Sequence, residues 1–311
     1  MITWGINALN HDISIAVFDG HTLKSFETVK GVDRDSGIIH RSIHASGGHG
    51  PSVIAWYERP WLKKSRQLYA GQYAAALDMD VVPSRWLRKN KLGYAKVKYF
   101  PHHKSHAAAG FFTSPYESAT VVVLDAMGEW ESATIWQGQG TNLKKLWSRS
   151  YPNSLGMFYS AFTQLIGYKP VAEEHLLQQD SDRGDPKRYI DTVRNYFDGV
   201  VNLRYNLHCG VLDWPWPIET DQDRYDIAAA VQQVFEEQAD MVMLIARRLS
   251  SSRNLIYMGG CAMNSKYNQH LNSQWNHVWR LPNPGDPSSA IGAALLSLDT
   301  RIHLDKRLLT L

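Results

Sequence analysis

The sequence contains only two cysteines, Cys209 and Cys261, among 311 residues. Two cysteines are too few for a disulfide framework or for a metal site built from thiolates. The apolar runs are much shorter than the roughly 20 residues that a membrane-spanning helix needs. The chain begins MITWGINALNHD, without the charged and then apolar pattern of a signal peptide. We therefore expect a protein of the reducing cytoplasm with no membrane contact.

The composition is that of a globular protein with an unevenly distributed charge. Hydrophobic residues make up 44% and charged residues 20%, and the net charge is only +3. Residues 59–104 hold eleven Lys or Arg and two Asp or Glu, a surplus of nine, so the other residues carry 22 basic against 28 acidic side chains, or −6. A basic block inside an acidic chain indicates a binding partner.

A strand–turn–strand pattern occurs twice, near residues 2–18 and near residues 120–137. Each copy is followed by further strand and helix patterns, and the spacing is too long for a solenoid repeat. We therefore expect an α/β fold of two similar halves with a cleft between them. Residues 31–51 are rich in Gly, Ser, His and Asp, which predicts a long loop.

Two histidines mark a possible metal site at the start of a predicted helix. His102 and His106 are four residues apart, so their rings lie on one helix face and can hold one ion. A pair of histidines binds metal only weakly, and the pair is also consistent with a helix start that has no ligand.

Asp286 is the candidate for the third ligand, in a tight turn just before a small-residue helix. The same position suits a residue that only caps this helix. If the carboxylate meets both histidines, the set suits Fe(II), with Zn(II) or Mn(II) as alternatives.

Two strand ends carry candidate ligand-binding residues. Asp125 follows a buried strand, where carboxylates of α/β folds often face a ligand. Gly259 and Gly260 lie between a strand and a helix that begins near Asn264, and such a junction can approach a phosphate closely. His11 lies in the first strand–turn–strand. Each of these residues also fits an ordinary turn.

The order of these motifs resembles that of the O-carbamoyltransferase family, which includes the enzymes that carbamoylate nodulation factors and antibiotics. The resemblance covers nearly the whole chain, and its HHxxHAA and GGxAxN motifs are the most specific parts. The fold also resembles that of the tRNA threonylcarbamoyl-transfer subunit. The matching segments are residues 5–20, 102–108, 114–116, 121–129, 151–159, 258–264 and 285–295.

The resemblance implies an actin/sugar-kinase-like fold built from two RNase-H-like halves. It implies one catalytic domain over residues 1–311, with one subdomain at 1–115 plus 287–311 and the other at 116–286. It also implies a carbamoyltransferase that depends on one divalent metal. The implied metal ligands are His102, His106 and Asp286. The implied catalytic residues are His11, near the carbamoyl group, and His103. The implied donor- or nucleotide-binding residues are Asp12, Asp125, Gly128, Gly259, Gly260 and Asn264.

The chain also departs from the family pattern. Many relatives carry a second, C-terminal domain that makes carbamoyl-adenylate from carbamoyl phosphate and ATP, whereas this sequence ends at Leu311. Ala126 replaces a usual glycine, and residues 31–37 and 173–180 replace two usual motifs. We therefore expect carbamoyl phosphate to be the direct donor and ATP to be unnecessary, with ATP supplied in trans as the alternative.

The basic block suggests the acceptor. Its cations alternate with aromatic residues, and cations neutralise phosphates while aromatic rings stack on bases. Residues 31–51 and the Trp214-Pro215-Trp216 segment could surround a flipped base. We expect the acceptor to be a 5-hydroxymethylpyrimidine in DNA, for example 5-hydroxymethylcytosine, as in bacteriophage DNA modification. The predicted contact residues are Lys63, Lys64, Arg66, Arg85, Trp86, Arg88 and Lys89.

Three alternatives stay open at this point. The basic block also fits amphipathic helices with a solvated face. The acceptor could be a sugar or an antibiotic. The chain could also be a non-catalytic nucleotide-binding protein of the actin-like fold.

Overall fold

The computed structural model describes residues 1–10, 12–30 and 36–304, and within them it has ten strands and eleven α-helices. The strands are β1 (Ile2–Asn7), β2 (Asp12–Asp19), β3 (Thr22–Lys30), β4 (Val53–Trp56), β5 (Lys96–Tyr99), β6 (Ser118–Leu124), β7 (Glu131–Gln139), β8 (Asn142–Ser150), β9 (Asn254–Met258) and β10 (His277–Trp279). The helices are α1 (Ser36–Ala45), α2 (Pro60–Tyr69), α3 (Tyr73–Leu77), α4 (Pro83–Lys89), α5 (His102–Phe112), α6 (Leu155–Leu165), α7 (Glu174–Asp180), α8 (Ile190–Arg194), α9 (Asp221–Leu249), α10 (Ser265–Gln274) and α11 (Asp286–Leu298). In this part of the chain no helix is both long and apolar enough to cross a membrane.

The strands form two sheets of the same topology. The first has the order β3-β2-β1-β4-β5 and the second the order β10-β9-β6-β7-β8. In each, three consecutive strands form an antiparallel meander, and two later strands extend the sheet in parallel beside the first strand of the meander. The repeated pattern therefore confirms the duplicated α/β architecture expected from the sequence. The proposed subdomain boundaries stay a prediction.

Helices α5 and α11 lie between the two sheets. α11 packs on β1, β2 and β4 of the first sheet, α5 packs on β6, β7 and β9 of the second, and the two helices pack on each other. Glycine permits this approach, because a Cβ on Gly292 of α11 would lie 1.8 Å from the carbonyl oxygen of Ser105 in α5. A Cβ on Gly5 of β1 would lie equally close to the carbonyl oxygen of Ala290.

The outer face of the second sheet is covered by helices α6 and α9, whose apolar faces share one core with it. α9 begins with a capping box, in which the Thr220 hydroxyl accepts from the Asp223 N–H and the Asp223 carboxylate accepts from the Thr220 N–H. These reciprocal bonds satisfy two otherwise unpaired donors at the start of the helix.

The loop predicted for residues 31–51 is wrong for its central part, where α1 forms. Ile38 and Ile39 are buried and Ile43 packs against the same core of the first sheet, so one helix face covers β2 and β3. Tertiary burial outweighs the low helix preference of the surrounding polar residues. Residues 31–35 lie outside the described part of the chain.

Candidate metal centre

His102 and His106 occupy the first two turns of α5, and their side chains are almost completely buried. Pro101 precedes the helix in an extended conformation and fixes where it begins. Their Nε2 atoms lie 3.1 Å apart. The helical spacing therefore brings the two rings to one point, as the sequence predicts.

Asp286 brings a carboxylate to the same point from the start of α11. Its Oδ1 lies 3.2 Å from Nε2 of His106 and 3.4 Å from Nε2 of His102. The N-cap residue of α11 is Gly285, and no side chain caps this helix. The interpretation of Asp286 as only a helix cap is therefore wrong. The Asn10 side chain instead donates to its Oδ2 at 3.2 Å.

Asp125 is the fourth member of the cluster, at the end of β6. Its Oδ2 lies 3.1 Å from Nε2 of His102 and 3.6 Å from Nε2 of His106. Its Oδ1 accepts from the N–H groups of Ala126 and Gly260, at 2.9 and 3.1 Å. Asp125 was predicted to bind the donor, and its place among the histidines was not predicted. Its position at the end of a buried strand was the available signal.

The donor set of this cluster fits a divalent cation. Each of His102, His106, Asp125 and Asp286 offers one ligand atom, and all four atoms lie within 4.8 Å of one another. Two imidazole nitrogens with two carboxylate oxygens suit iron, zinc or manganese. Nδ1 of each of the two histidines is buried without a hydrogen-bond partner, so both rings face the cluster through Nε2.

The charges of the four groups support each other. Burial alone would lower the pKa of His102, but the charge of Asp286 and hydrogen bonds with Asp125 outweigh it and raise the pKa well above 6.5. Burial would raise the pKa of Asp125, but its hydrogen bonds with His102 and His106 hold it well below the usual range. The carboxylates are therefore charged, and a cation bound here would replace the protons held by the imidazoles.

Gly128 lies against the rings of the histidines. A Cβ there would lie 2.9 Å from Cδ2 of His102 and 3.0 Å from Cδ2 of His103. Its N–H donates to the carbonyl of Glu131 at 2.9 Å. Glycine at this position therefore leaves room for the imidazoles, and its role in donor binding stays a prediction.

The glycine turn after β9 differs from the expected phosphate cradle. The N–H of Gly259 donates to the carbonyl of Pro284 at 2.9 Å, and that of Gly260 donates to Asp125. Gly259 has φ +94°, and a Cβ there would lie 2.2 Å from the carbonyl oxygen of Leu124. These two amides therefore hold Asp125 and the start of α11 in place, and the role of Gly259 and Gly260 in donor binding stays a prediction.

Asn264 is a buried helix cap. Its Oδ1 accepts from the N–H of Tyr267 in α10 at 3.0 Å, and its Nδ2 donates to Gln232 of α9 at 2.9 Å. Both ends of its amide are thus engaged within the chain, and its role in donor binding stays a prediction.

Only one of the two predicted catalytic histidines lies in the described part of the chain. His11 lies outside the described residues. His103 is buried on the side of α5 that faces β7, with Nδ1 3.0 Å from the Thr134 hydroxyl. Burial and the nearby His102 charge lower its pKa well below 6.5, so it is neutral. Asp12 begins β2 opposite Lys30 and is partly exposed.

Several residues of the basic block have structural roles that the sequence pattern did not reveal. Lys64 is 6% exposed and donates to the carbonyls of Ala75, Ala76 and Asp78. Arg66 is equally buried and donates to the carbonyl of Glu129. Trp86 is buried edge-on against Trp56, with ring centroids 5.8 Å apart.

Burial therefore removes Lys64, Arg66 and Trp86 from the surface that was predicted to bind an acceptor strand. Lys63 pairs with Glu58 at 2.9 Å. Arg85 pairs with Asp80 at 2.8 Å at the surface, and Arg88 and Lys89 are exposed.

Glu58 was not identified from the sequence. It follows β4, is 4% exposed, and its Oε2 lies 3.9 Å from Nδ1 of His102. Burial would raise the pKa of its carboxyl, but Lys63 and His102 lower it below the usual value. A single acidic residue beside a basic helix gave no sign of this position.

An ion pair between Arg59 and Glu129 joins the two halves of the fold beside the candidate metal centre. Glu129 is buried, and its carboxylate accepts from the backbone N–H of Arg59 at 2.5 Å and from its guanidinium Nε at 2.9 Å. The segment that carries Asp125 and Gly128 is thereby tied to the start of α2.

The model of the carbamoyltransferase N-terminus family matches residues 57–295, about three quarters of the chain. The chain belongs to this carbamoyltransferase family. The match confirms the family resemblance inferred from the motifs, and it includes all four residues of the candidate metal cluster.

Two relatives illustrate the extent of the similarity to known proteins. The uncharacterized protein sll1178 of Synechocystis is 31% identical over 286 residues, which cover 78% of this chain and 46% of that protein. The nodulation protein NolNO of Sinorhizobium fredii is 25% identical, over 75% of this chain and 34% of that protein. The chain thus spans less than half the length of these relatives.

A solved structure supports the fold of this carbamoyltransferase family member. Full-length HypF in its phosphate- and nucleotide-bound form superimposes with a TM-score of 0.50 over 96% of this chain and 55% of HypF, at 11% sequence identity. Together with the duplicated sheets, this likeness confirms the predicted actin/sugar-kinase-like α/β fold.

Proposed function

We propose that this chain catalyses O-carbamoyl transfer from carbamoyl phosphate to a hydroxyl at a divalent metal held by His102, His106, Asp125 and Asp286. The observation that supports the proposal most is that one ligand atom from each of these four side chains lies within 4.8 Å of the others, in a chain of the carbamoyltransferase family. In this reaction the acceptor oxygen bonds to the carbamoyl carbon, the bond from that carbon to the phosphate oxygen breaks, and phosphate leaves with the acceptor proton.

A divalent cation in this site, with iron as the first candidate, would supply Lewis-acid polarisation of the carbamoyl or phosphate oxygen. The protein's contribution is to hold its ligands rigidly, because a preorganised site does not reorganise during the reaction. The backbone N–H groups of Ala126 and Gly260 orient Asp125, and the amide of Asn10 orients Asp286. We retain His11 as the proposed residue beside the carbamoyl group.

A cavity beside the cluster supports a small acceptor. It has a volume of about 190 Å³, and Asn10, Glu58 and Lys63 line it together with Lys64, Gln67 and Asp78. Asn10 also touches Asp286, so the cavity and the metal centre share a wall. A cavity of about 150 Å³ holds a benzene ring in another protein, so this one suits a single hydroxylated ring or a small polyol.

A hydroxymethylpyrimidine in DNA is the weaker acceptor candidate. Three of its seven predicted contact residues are buried, and Lys63 and Arg85 form ion pairs within the chain. What still favours it is that Arg88, Lys89 and the aromatic residues Trp61 and Tyr94 of the basic block are exposed. We therefore favour a small molecule with a free hydroxyl.

The direct test is to incubate the purified protein with Fe(II), Zn(II) or Mn(II), carbamoyl phosphate labelled in its carbamoyl carbon, and a panel of acceptors. The panel contains simple polyols, monosaccharides and hydroxymethylcytosine DNA, each with and without ATP. We expect label in a small-molecule carbamate that requires the metal and is absent with the His106→Ala variant.

Label in DNA alone would move the acceptor assignment to nucleic acid. Product formed only with ATP, with release of pyrophosphate, would show that carbamoyl phosphate is not the direct donor. No transfer by metal-loaded protein in any combination would contradict the proposed function.

A further inference from the structure

A buried carboxylate lies behind the first histidine of the metal cluster, on the side away from the other ligands. Nε2 of His102 faces Asp125, Asp286 and His106, whereas its Nδ1 faces Oε2 of Glu58 at 3.9 Å. The side chains of His102 and Glu58 are 2% and 5% exposed. Water therefore has little access to either atom of this contact.

The chemistry of the imidazole ring requires a partner on this side. A neutral imidazole carries one N–H and one lone pair. If the Nε2 lone pair faces a cation, the hydrogen lies on Nδ1 and needs an acceptor. Nδ1 of His102 is buried without a hydrogen-bond partner, and Glu58 is the carboxylate that faces it. A shift of about 1 Å would bring the two atoms to a normal hydrogen-bond length.

We propose that Glu58 is a positioning residue that accepts the Nδ1 hydrogen of His102 and so fixes the ring with its Nε2 lone pair directed into the cluster. Histidines that bind metals commonly donate their second nitrogen to a carboxylate in this way, which sets the tautomer and increases the basicity of the ligand. The inference rests on the metal centre of the proposed function and adds a residue that does not itself touch the cation.

The two oxygens of Glu58 have separate neighbours. Oε1 lies 2.9 Å from Nζ of Lys63, and Oε2 faces His102. The simpler explanation is that Glu58 serves only to neutralise Lys63. The two explanations differ in what happens to metal affinity when Lys63 alone is removed, and this difference is the basis of the experiment.

The experiment measures Co(II) binding to the full chain by its visible absorption, which reports both affinity and ligand geometry. The variants are Glu58→Ala, Glu58→Gln and the matched control Lys63→Met. Thermal unfolding in a chelator checks that each variant is folded. For Glu58→Ala we expect a Co(II) dissociation constant about 10- to 100-fold higher than that of the wild type, with altered absorption bands.

Glu58→Gln retains an oxygen that can accept the hydrogen, so we expect it to restore the absorption bands and part of the affinity. Lys63→Met frees the carboxylate for His102 but also removes the hydrogen bond from Lys63 to Asn10, whose amide donates to Asp286. We therefore expect a dissociation constant that changes much less than in Glu58→Ala, with the absorption bands of the wild type. If Glu58→Ala does not fold, the loss of affinity in Glu58→Gln relative to Lys63→Met decides the question.

Wild-type affinity in the Glu58 variants would overturn the positioning role while leaving the metal centre intact. Equal losses in the Glu58 and Lys63 variants would also overturn it, in favour of a simple ion pair. A wild-type protein that binds no Co(II), Zn(II) or Fe(II) would instead overturn the metal centre of the proposed function.

Discussion

At the scale of single residues, the candidate metal cluster has two kinds of position. Some residues offer a ligand atom to a cation, and others leave room for the histidine rings. Asp286 begins α11 without capping it, and its carboxylate points to the histidines. Gly128 has no side chain, and this absence is what the rings of His102 and His103 require. Substitutions at both positions can distinguish a metal site from an ordinary turn.

Asp286→Asn is expected to abolish stoichiometric metal binding, because the amide keeps the size of the carboxylate but removes one of the two negative charges facing the imidazoles. Metal content after dialysis, measured by elemental analysis, checks this. A residue that served only as a helix cap would behave differently, lowering stability by about 0.5–2 kcal/mol and leaving the metal content unchanged.

Gly128→Ala is expected to displace the ring of His102, because its new Cβ would lie 2.9 Å from the Cδ2 atom of that ring. We expect weaker metal binding and a loss of about 1–3 kcal/mol in the free energy of unfolding. Equilibrium titration with Co(II) and urea denaturation measure the two effects. An alanine variant with wild-type affinity would show that the histidine pair tolerates a different ring position.

At the scale of elements, the geometry of the centre depends on how α5 and α11 cross. His102 and His106 begin one helix and Asp286 begins the other, so the distance between ligands is set by the contact of the helices. That contact is close because Gly292 lies against the backbone of Ser105. The small-residue composition of α11 is therefore a requirement of the site as well as of the core.

Gly292→Ala is expected to separate the two helices, since its Cβ would lie 1.8 Å from the Ser105 carbonyl oxygen. We expect a loss of about 1–3 kcal/mol or more in the free energy of unfolding, measured with urea, and weaker metal binding. Ser297→Ala, on the less buried end of the same helix, serves as the control and should change neither quantity. Unchanged stability of the Gly292 variant would contradict the tight crossing.

At the scale of the whole molecule, the ligands come from both halves of the duplicated fold. The helix that carries Asp286 packs on the first sheet, and Asp125 ends the central strand of the second. A cation bound between them would contact both, so it would stabilise the folded chain as a unit.

Removal of the metal is therefore expected to lower the melting temperature of the whole protein by several degrees. A ligand at 100 times its dissociation constant adds about 2.7 kcal/mol to the free energy of unfolding. Scanning calorimetry with and without chelator measures the change, and His106→Ala should show no difference between the two conditions. A wild-type melting temperature that does not respond to chelator would contradict this coupling.

The duplicated architecture and the histidine pair could be predicted from the sequence, because strand patterns and helical spacing are local. The position of Asp125 in the cluster could not, since it depends on β6 and α5 lying side by side. Residue type alone placed Lys64 and Trp86 at a binding surface, whereas the packing of α2–α4 buries both. Helix α1 was missed because its polar composition concealed three isoleucines on one face.

His106 and Asp286 are 180 positions apart along the chain, and both of its described cysteines are free thiols. An ion bound to both side chains would close the chain between them into a loop, as a disulfide does in other proteins. By the chain-entropy argument, a cross-link over such a loop is worth about 5 kcal/mol through restriction of the unfolded chain. The metal would thus act as a removable cross-link, so that pieces produced by a backbone cut between these residues would separate at a lower concentration of denaturant in chelator than with the metal bound.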